Sequence, residues 1–144
     1  MTEPTLPVFE QTLQKTNVWV DVVAAALGTQ DRHRAYQALR ATLHALRDRI
    51  GPNEAAQLGA QLPLLLRGTY YEGWHPAGKP LKERELEQFL DHIRADITQG
   101  DAEETARAVF QVIAHFVSEG EIEDIVWMLP EGVRGLWSQP AATR

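Results

Sequence analysis

Residues 35–70 read AYQALRATLHALRDRIGPNEAAQLGAQLPLLLRGTY and align without a gap on residues 102–137, which read AEETARAVFQVIAHFVSEGEIEDIVWMLPEGVRGLW. The two segments are offset by 67 residues, and their apolar positions stay in register throughout. An internal repeat of this kind indicates two copies of one structural unit that bury their apolar faces against each other. The identical pairs include Ala35/Ala102, Ala41/Ala108, Glu54/Glu121, Leu62/Leu129, Pro63/Pro130, Arg67/Arg134 and Gly68/Gly135.

The apolar spacing within each segment is helical. In the first segment, large apolar residues follow one another at intervals of three and four, which places them on one helix face; they are Tyr36, Leu39, Leu43, Leu46 and Ile50. No stretch alternates apolar and polar residues as a half-buried strand does. The sequence therefore predicts an all-α fold, a compact bundle of six to eight helices built from two tandem repeats related by a pseudo-twofold axis.

The chain has the length of one domain, and we expect a single helical domain over residues 1–144. Repeat unit one spans about 31–74 and repeat unit two about 98–138, with a linker loop rich in glycine and proline at 72–80. Crowded β-branched residues near Asn17 predict a break in the helix that precedes the first unit. Disorder is expected, if anywhere, at the ends, residues 1–7 and 139–144.

Composition narrows the classes of partner. The formal net charge is −6, so we expect no nucleic-acid partner, which needs a basic surface. The longest uncharged run, Ala55–Leu66, is too short to span a bilayer, and we expect no membrane partner. The first residues lack the pattern of a secretion signal, and arginine and alanine outnumber lysine. We therefore expect a protein of the bacterial cytoplasm.

Three segments resemble a known bacterial family. They are residues 39–49 (LRATLHALRDR), residues 61–74 (QLPLLLRGTYYEGW) and, in the second unit, residues 120–130 (GEIEDIVWMLP). They are similar to the family catalogued as domain of unknown function 2267. The resemblance covers about residues 9–137 and implies a duplicated helical domain. It implies no activity, because the family has none assigned.

Catalytic and metal-binding patterns are absent from the sequence. There is no cysteine, which excludes thiolate metal sites and cysteine nucleophiles. Of the five histidines, only His75 lies three residues after a glutamate, Glu72, and Gly73 interrupts that spacing. No phosphate-binding loop, nucleophile elbow or dinucleotide fingerprint occurs. We therefore assign no catalytic residue, no metal ligand and no cofactor.

The candidate ligand or partner surface is the aromatic segment at the end of the first unit. Its residues are Tyr70, Tyr71, Trp74 and His75, at or beside the loop rich in glycine and proline. An alternative is that Tyr70 and Trp74 are structural anchors, because Tyr70 aligns with Trp137 in the repeat.

Two repeated arginines complete the candidate residues. Glu54 and Arg67 are separated by the same 13 positions as Glu121 and Arg134. This duplication predicts a structural ion pair in each unit. The functional alternative is that Arg67 and Arg134 bind an anion between the units.

We prefer the interpretation of a non-catalytic interaction or scaffold protein that binds a protein partner or a second copy of itself. The first alternative is a small-ligand-binding domain with a crevice between the two repeats. An enzyme of unrecognised type is the second alternative. Whether the chain has any enzymatic activity is left open by its residues.

Overall fold

The computed structural model describes residues 3–137, whose regular secondary structure is entirely helical, with no strand among them. A final 3₁₀ turn covers Gly135–Trp137. This confirms the all-α expectation. The eight helices are α1 (Pro7–Leu27), α2 (Arg32–Arg49), α3 (Pro52–Ala60), α4 (Leu64–Tyr71), α5 (Leu86–Asp96), α6 (Ala102–Phe116), α7 (Glu119–Met128) and α8 (Glu131–Arg134).

Short polar residues and one glycine set the helix ends. The Asp31, Asp101 and Ser118 side chains each accept a hydrogen bond from a backbone N–H in the first turn of the helix that follows. At the end of α1, Gly28 adopts a left-handed conformation with φ of 70°, and its N–H is donated to the last turn. Local sequence therefore determines where α1 ends and where α2, α6 and α7 begin.

The described chain differs from the sequence-based expectation at two places. Helix α1 is unbroken at Asn17, because the buried Trp19 and Val20 that follow hold it against the core. The segment between α4 and α5 runs from 72 to 85, longer than the expected 72–80. The expected disordered end at 139–144 lies outside the described residues, as do positions 1 and 2, whereas Pro7 is already helical.

Helix boundaries in the two units follow the 67-residue offset. Helix α3 begins at Pro52 and α7 at Glu119, and both α4 and α8 are preceded by a proline N-cap, Pro63 and Pro130. Helices α2 and α6 end at equivalent residues, Arg49 and Phe116. A pseudo-twofold relation between the units remains a prediction that this correspondence supports.

The core lies between α2 and α6, the long helices of the two units. Leu39, Leu43 and Leu46 of α2 and Phe110 and Ile113 of α6 are all completely buried. Helix α1 contacts both of these helices, and so does α5. The two helices outside the repeats thus close the core that the repeats share.

Among residues 3–137, no helix combines the length and the apolar character needed to cross a lipid bilayer.

Candidate functional site

Helix α2 holds the end of α4 through two buried side chains. Arg47 Nη1 donates hydrogen bonds of 2.8 Å to the carbonyl oxygens of Tyr70 and Glu72. His44 Nε2 donates to the Thr69 carbonyl at 2.7 Å, and burial lowers the pKa of this histidine. Thr69, Tyr70 and Glu72 lie at or just after the C-terminal end of α4, where carbonyls lack the next turn of helix as a partner. The two segments that carry most of the family resemblance therefore bind each other, and His44 and Arg47 have a structural task.

The aromatic candidates form one cluster of rings at this position. Tyr70 is fully buried and donates its hydroxyl to the Ala55 carbonyl at 2.7 Å. Its ring lies 4.9 Å from that of Tyr71, which lies 5.3 Å from the indole of Trp74. Tyr71 and Trp74 are half-buried, and His75 is exposed outside the cluster. The structure thus brings together three of the four aromatic candidates.

The outer edge of this cluster reaches a shallow depression of about 360 Å³. Tyr71 and Glu72 line it together with Tyr36 of α2, whose hydroxyl lies 3.2 Å from Thr69 Oγ1. Trp74 does not line this depression; it packs against the core, as Tyr71 also does, and its Nε1 is buried without a hydrogen-bond partner. Tyr71 is therefore the candidate that a ligand could reach, while Trp74 anchors the loop.

The expected pairs Glu54–Arg67 and Glu121–Arg134 are wrong. Arg67 donates from Nε to the Gly59 carbonyl at 2.9 Å and from Nη2 to the Leu62 carbonyl at 3.1 Å. Within residues 3–137, no ion pair joins either arginine to a glutamate. Sequence spacing identified a duplicated acid and a duplicated base, but the packing of the short helices assigns them different partners.

Arg134 repeats the contacts of Arg67 at the end of α7. Its Nε donates to the Leu129 carbonyl at 2.8 Å and to the Val126 carbonyl at 3.1 Å. Each arginine therefore neutralises the carbonyl-rich C-terminus of the short helix before it, where a positive charge is stabilising. The anion-binding alternative finds these guanidinium groups already engaged with backbone oxygens.

The two glutamates meet each other where α3 contacts α7. Each belongs to the first turn of its helix, and each is only 6% exposed. Oxygens of Glu54, Glu121 and the exposed Asp124 all lie within 4.8 Å of one another. Burial, followed by the hydrogen bond with Glu54 and the charges of Glu54 and Asp124, raises the pKa of Glu121 to about 8. Sequence reasoning recognised both glutamates and missed that they converge.

One group of exposed apolar side chains lies on the first half of α1, whereas the most exposed large apolar side chain, Trp127, lies on α7. Phe9 is 53% exposed and Leu13 is 52% exposed. Both share the helix face that further along carries the buried residues Thr16, Val20 and Val23. The apolar stripe of α1 therefore continues beyond the part of the helix that the core covers.

A cleft of about 410 Å³ opens on the second half of α1. Its walls include Trp19, the turn at Leu62 and Pro63 between α3 and α4, and Phe116 at the end of α6. The Trp19 and Phe116 rings stack 4.6 Å apart, and the exposed Lys15 lies at the edge. This cleft lies between residues of the two repeat units.

Comparison with known proteins gives one family. The family model described as "Uncharacterized conserved protein (DUF2267)" matches residues 16–136. No curated protein matches the chain. The match begins at Thr16, the first buried residue of α1, so the exposed half of that helix precedes it.

Proposed function

The chain belongs to the DUF2267 family, whose description assigns no activity, and from its geometry we propose a non-catalytic interaction protein that self-associates through the first half of α1. The setting we infer is the cytoplasm of a bacterium, which composition supports. This surface fits a protein that forms a homodimer, or a scaffold assembled from such dimers.

The observation that carries the proposal is the uncovered stripe of α1. A helix whose core-facing side remains apolar over two further turns exposes surface that water solvates poorly. Phe9 and Leu13 each leave about half of their surface exposed on that side. Covering them would extend the same packing that Val20 and Val23 already make within the chain.

Charge favours a second copy of the chain as the partner. The chain carries a formal charge of −6, so two copies repel each other over most of their surfaces. Residues 7–18 include only one acid, Glu10, and one base, Lys15, and are neutral as a group. Two α1 stripes can therefore approach each other without the repulsion that opposes contact elsewhere.

Light scattering after size exclusion tests the proposal. The molar mass should rise above that of a 16.2 kDa monomer as concentration increases, and Leu13→Glu should hold the protein at the monomer mass, because a charge would be buried at the contact. Gln11→Glu, which adds the same charge on the opposite face of α1, is the matched control and should associate as the wild type does. A wild-type mass that stays monomeric at every concentration would overturn the proposal.

A small-ligand function is the second candidate, and the cleft beside Trp19 favours it. Its volume of about 410 Å³ lies within the range of pockets for small molecules. An apolar wall with Lys15 at the edge suits a carboxylate with an apolar tail. A rise in melting temperature with decanoate that Lys15→Gln removes would favour this candidate.

A further inference from the structure

Two buried carboxyl groups at the contact of α3 and α7 lack a counter-charge. Glu54 and Glu121 are each about nineteen-twentieths buried, and Oε2 of each has no hydrogen-bond partner. No lysine, arginine or histidine of residues 3–137 forms an ion pair with either. Burying unpaired carboxylate oxygens is costly, so a group that satisfies them would stabilise the fold.

Neither glutamate has the local role that its position would suggest. Both occupy the third position of a helix, where a glutamate often folds back to accept the N–H of the N-cap residue. In α7 that N–H, from Ser118, is donated to Gln61 Oε1 at 2.8 Å instead. The Glu121 carboxyl is left close to that of Glu54.

The position of Asp124 favours a cation, rather than a shared proton, as the group that would satisfy the two buried glutamates. A proton shared by two carboxyls explains a pair, but here a third carboxylate converges on the same point, one turn after Glu121. Two oxygens that bind one Ca²⁺ ion lie at most about 5 Å apart, twice the usual Ca–O distance. The three oxygens, all within 4.8 Å of one another, are close enough to bind one such ion.

We propose that Glu54, Glu121 and Asp124 form a binding site for a hard divalent cation such as Ca²⁺, with water completing its coordination on the exposed Asp124 side. The cation joins the first turn of α3 to the first turn of α7, and so clamps one repeat unit to the other. The site uses oxygen ligands alone, which selects hard cations over zinc or copper. This proposal does not depend on self-association through α1.

Thermal unfolding of chelator-treated protein at pH 8, with and without added CaCl₂, tests the site. Saturating Ca²⁺ should raise the melting temperature by about 5 °C, with a smaller rise for Mg²⁺, which gives up its bound water less readily. Isothermal titration should give one ion per chain, with weaker binding at pH 6, where protons compete for the carboxyls.

Substitutions distinguish a specific site from general cation effects. Asp124→Asn, at the exposed edge, leaves the buried pair intact and should lower the affinity for Ca²⁺ at least tenfold, and Glu54→Gln should abolish the rise in melting temperature. Glu123→Gln, an exposed neighbour on α7, is the matched control and should bind as the wild type does. Absence of any Ca²⁺-dependent shift in the wild type would leave a proton-sharing pair and overturn the proposal. A shift that persists in Asp124→Asn and Glu54→Gln would overturn it equally.

Discussion

Arg67 and Arg134 show how an arginine can satisfy the free carbonyl groups at the end of a short helix. Helices α3 and α7 have nine and ten residues, so several of their carbonyls have no partner within the helix. A guanidinium offers several donors in a fixed plane, and a single arginine can bind two or three of these oxygens. In each repeat unit, the arginine of the Arg-Gly dipeptide therefore stabilises the C-terminal end of the preceding helix.

Replacement of Arg67 by alanine should reduce stability. The variant loses charge-assisted hydrogen bonds to the Gly59 and Leu62 carbonyls, and we expect a cost of about 1–3 kcal/mol in the free energy of unfolding. Arg67→Lys should recover less than half of that loss, because an ammonium group cannot span both oxygens. Urea unfolding followed by circular dichroism measures each value.

Arg94→Ala is the control, since Arg94 pairs only with exposed acids of its own helix. Exposed pairs of this kind contribute at most about 1 kcal/mol. Equal losses for Arg67→Ala and Arg94→Ala would contradict the structural role of Arg67.

At the scale of elements, the Tyr71 side chain of α4 lies directly against Gly59 of α3. A Cβ atom on Gly59 would lie 2.5 Å from Tyr71 Oη and 2.8 Å from its Cζ. Gly68 of α4, by contrast, has open space where its Cβ would be. The two glycines of this helix pair therefore serve different purposes, although both lie in helices.

Alanine at these two positions should act in opposite directions. Gly59→Ala should cost about 1–3 kcal/mol, because the ring of Tyr71 must move. Gly68→Ala should stabilise by up to about 1 kcal/mol, since alanine is the better helix former. Thermal or urea unfolding would show both effects.

A second substitution checks the cause. Removing the hydroxyl with Tyr71→Phe in the Gly59→Ala background should recover part of the loss, because Oη is the closest atom to the added methyl group. A full loss retained in the double variant would contradict a clash with Tyr71.

For the whole molecule, the buried glutamates predict how stability changes with pH. The pKa of Glu121 is about 8 in the folded chain, against 4.5 for an unperturbed glutamate. Between these values the folded chain holds a proton that the unfolded chain has released. Stability is therefore greatest below about pH 4.5 as far as this group is concerned, and falls as the pH rises toward 8.

Urea unfolding in a chelating buffer at a series of pH values measures this dependence. Glu121→Gln, which stays neutral, should flatten the fall in unfolding free energy between pH 5 and 8. A slope unchanged by Glu121→Gln would show that other groups cause it. The chelator matters because a bound cation would offset the penalty at high pH.

Much of the fold could be predicted because its signals are local. Periodic apolar residues located the helices, and Asp31, Asp101 and Ser118 are residue types that commonly precede a helix, as each does here. The longer loop could not be foreseen, because contacts distant in sequence hold it in place: the Leu81 N–H is donated to the Asp48 carbonyl, and Arg49 donates to the Glu83 carbonyl.

The candidate site was less predictable for the same reason. Duplication identified Glu54 and Glu121, but which charge each would face depends on how α3 packs against α7. Gln61 binds Ser118 across this contact, and Met128 lies against Gly51, the equivalent pair under the 67-residue offset. Such cross-unit pairs leave no pattern within either unit.

The separation of Trp19 and Phe116 in the sequence also has a consequence while the chain is being synthesised on the ribosome. The two rings lie 4.6 Å apart in space but 97 positions apart in the chain. At about 5–20 residues per second, Trp19 waits roughly 5–20 s before its partner has been made. Through that interval the nascent chain carries an uncovered tryptophan beside Phe9 and Leu13 on α1, so this helix is the segment that a chaperone would meet first.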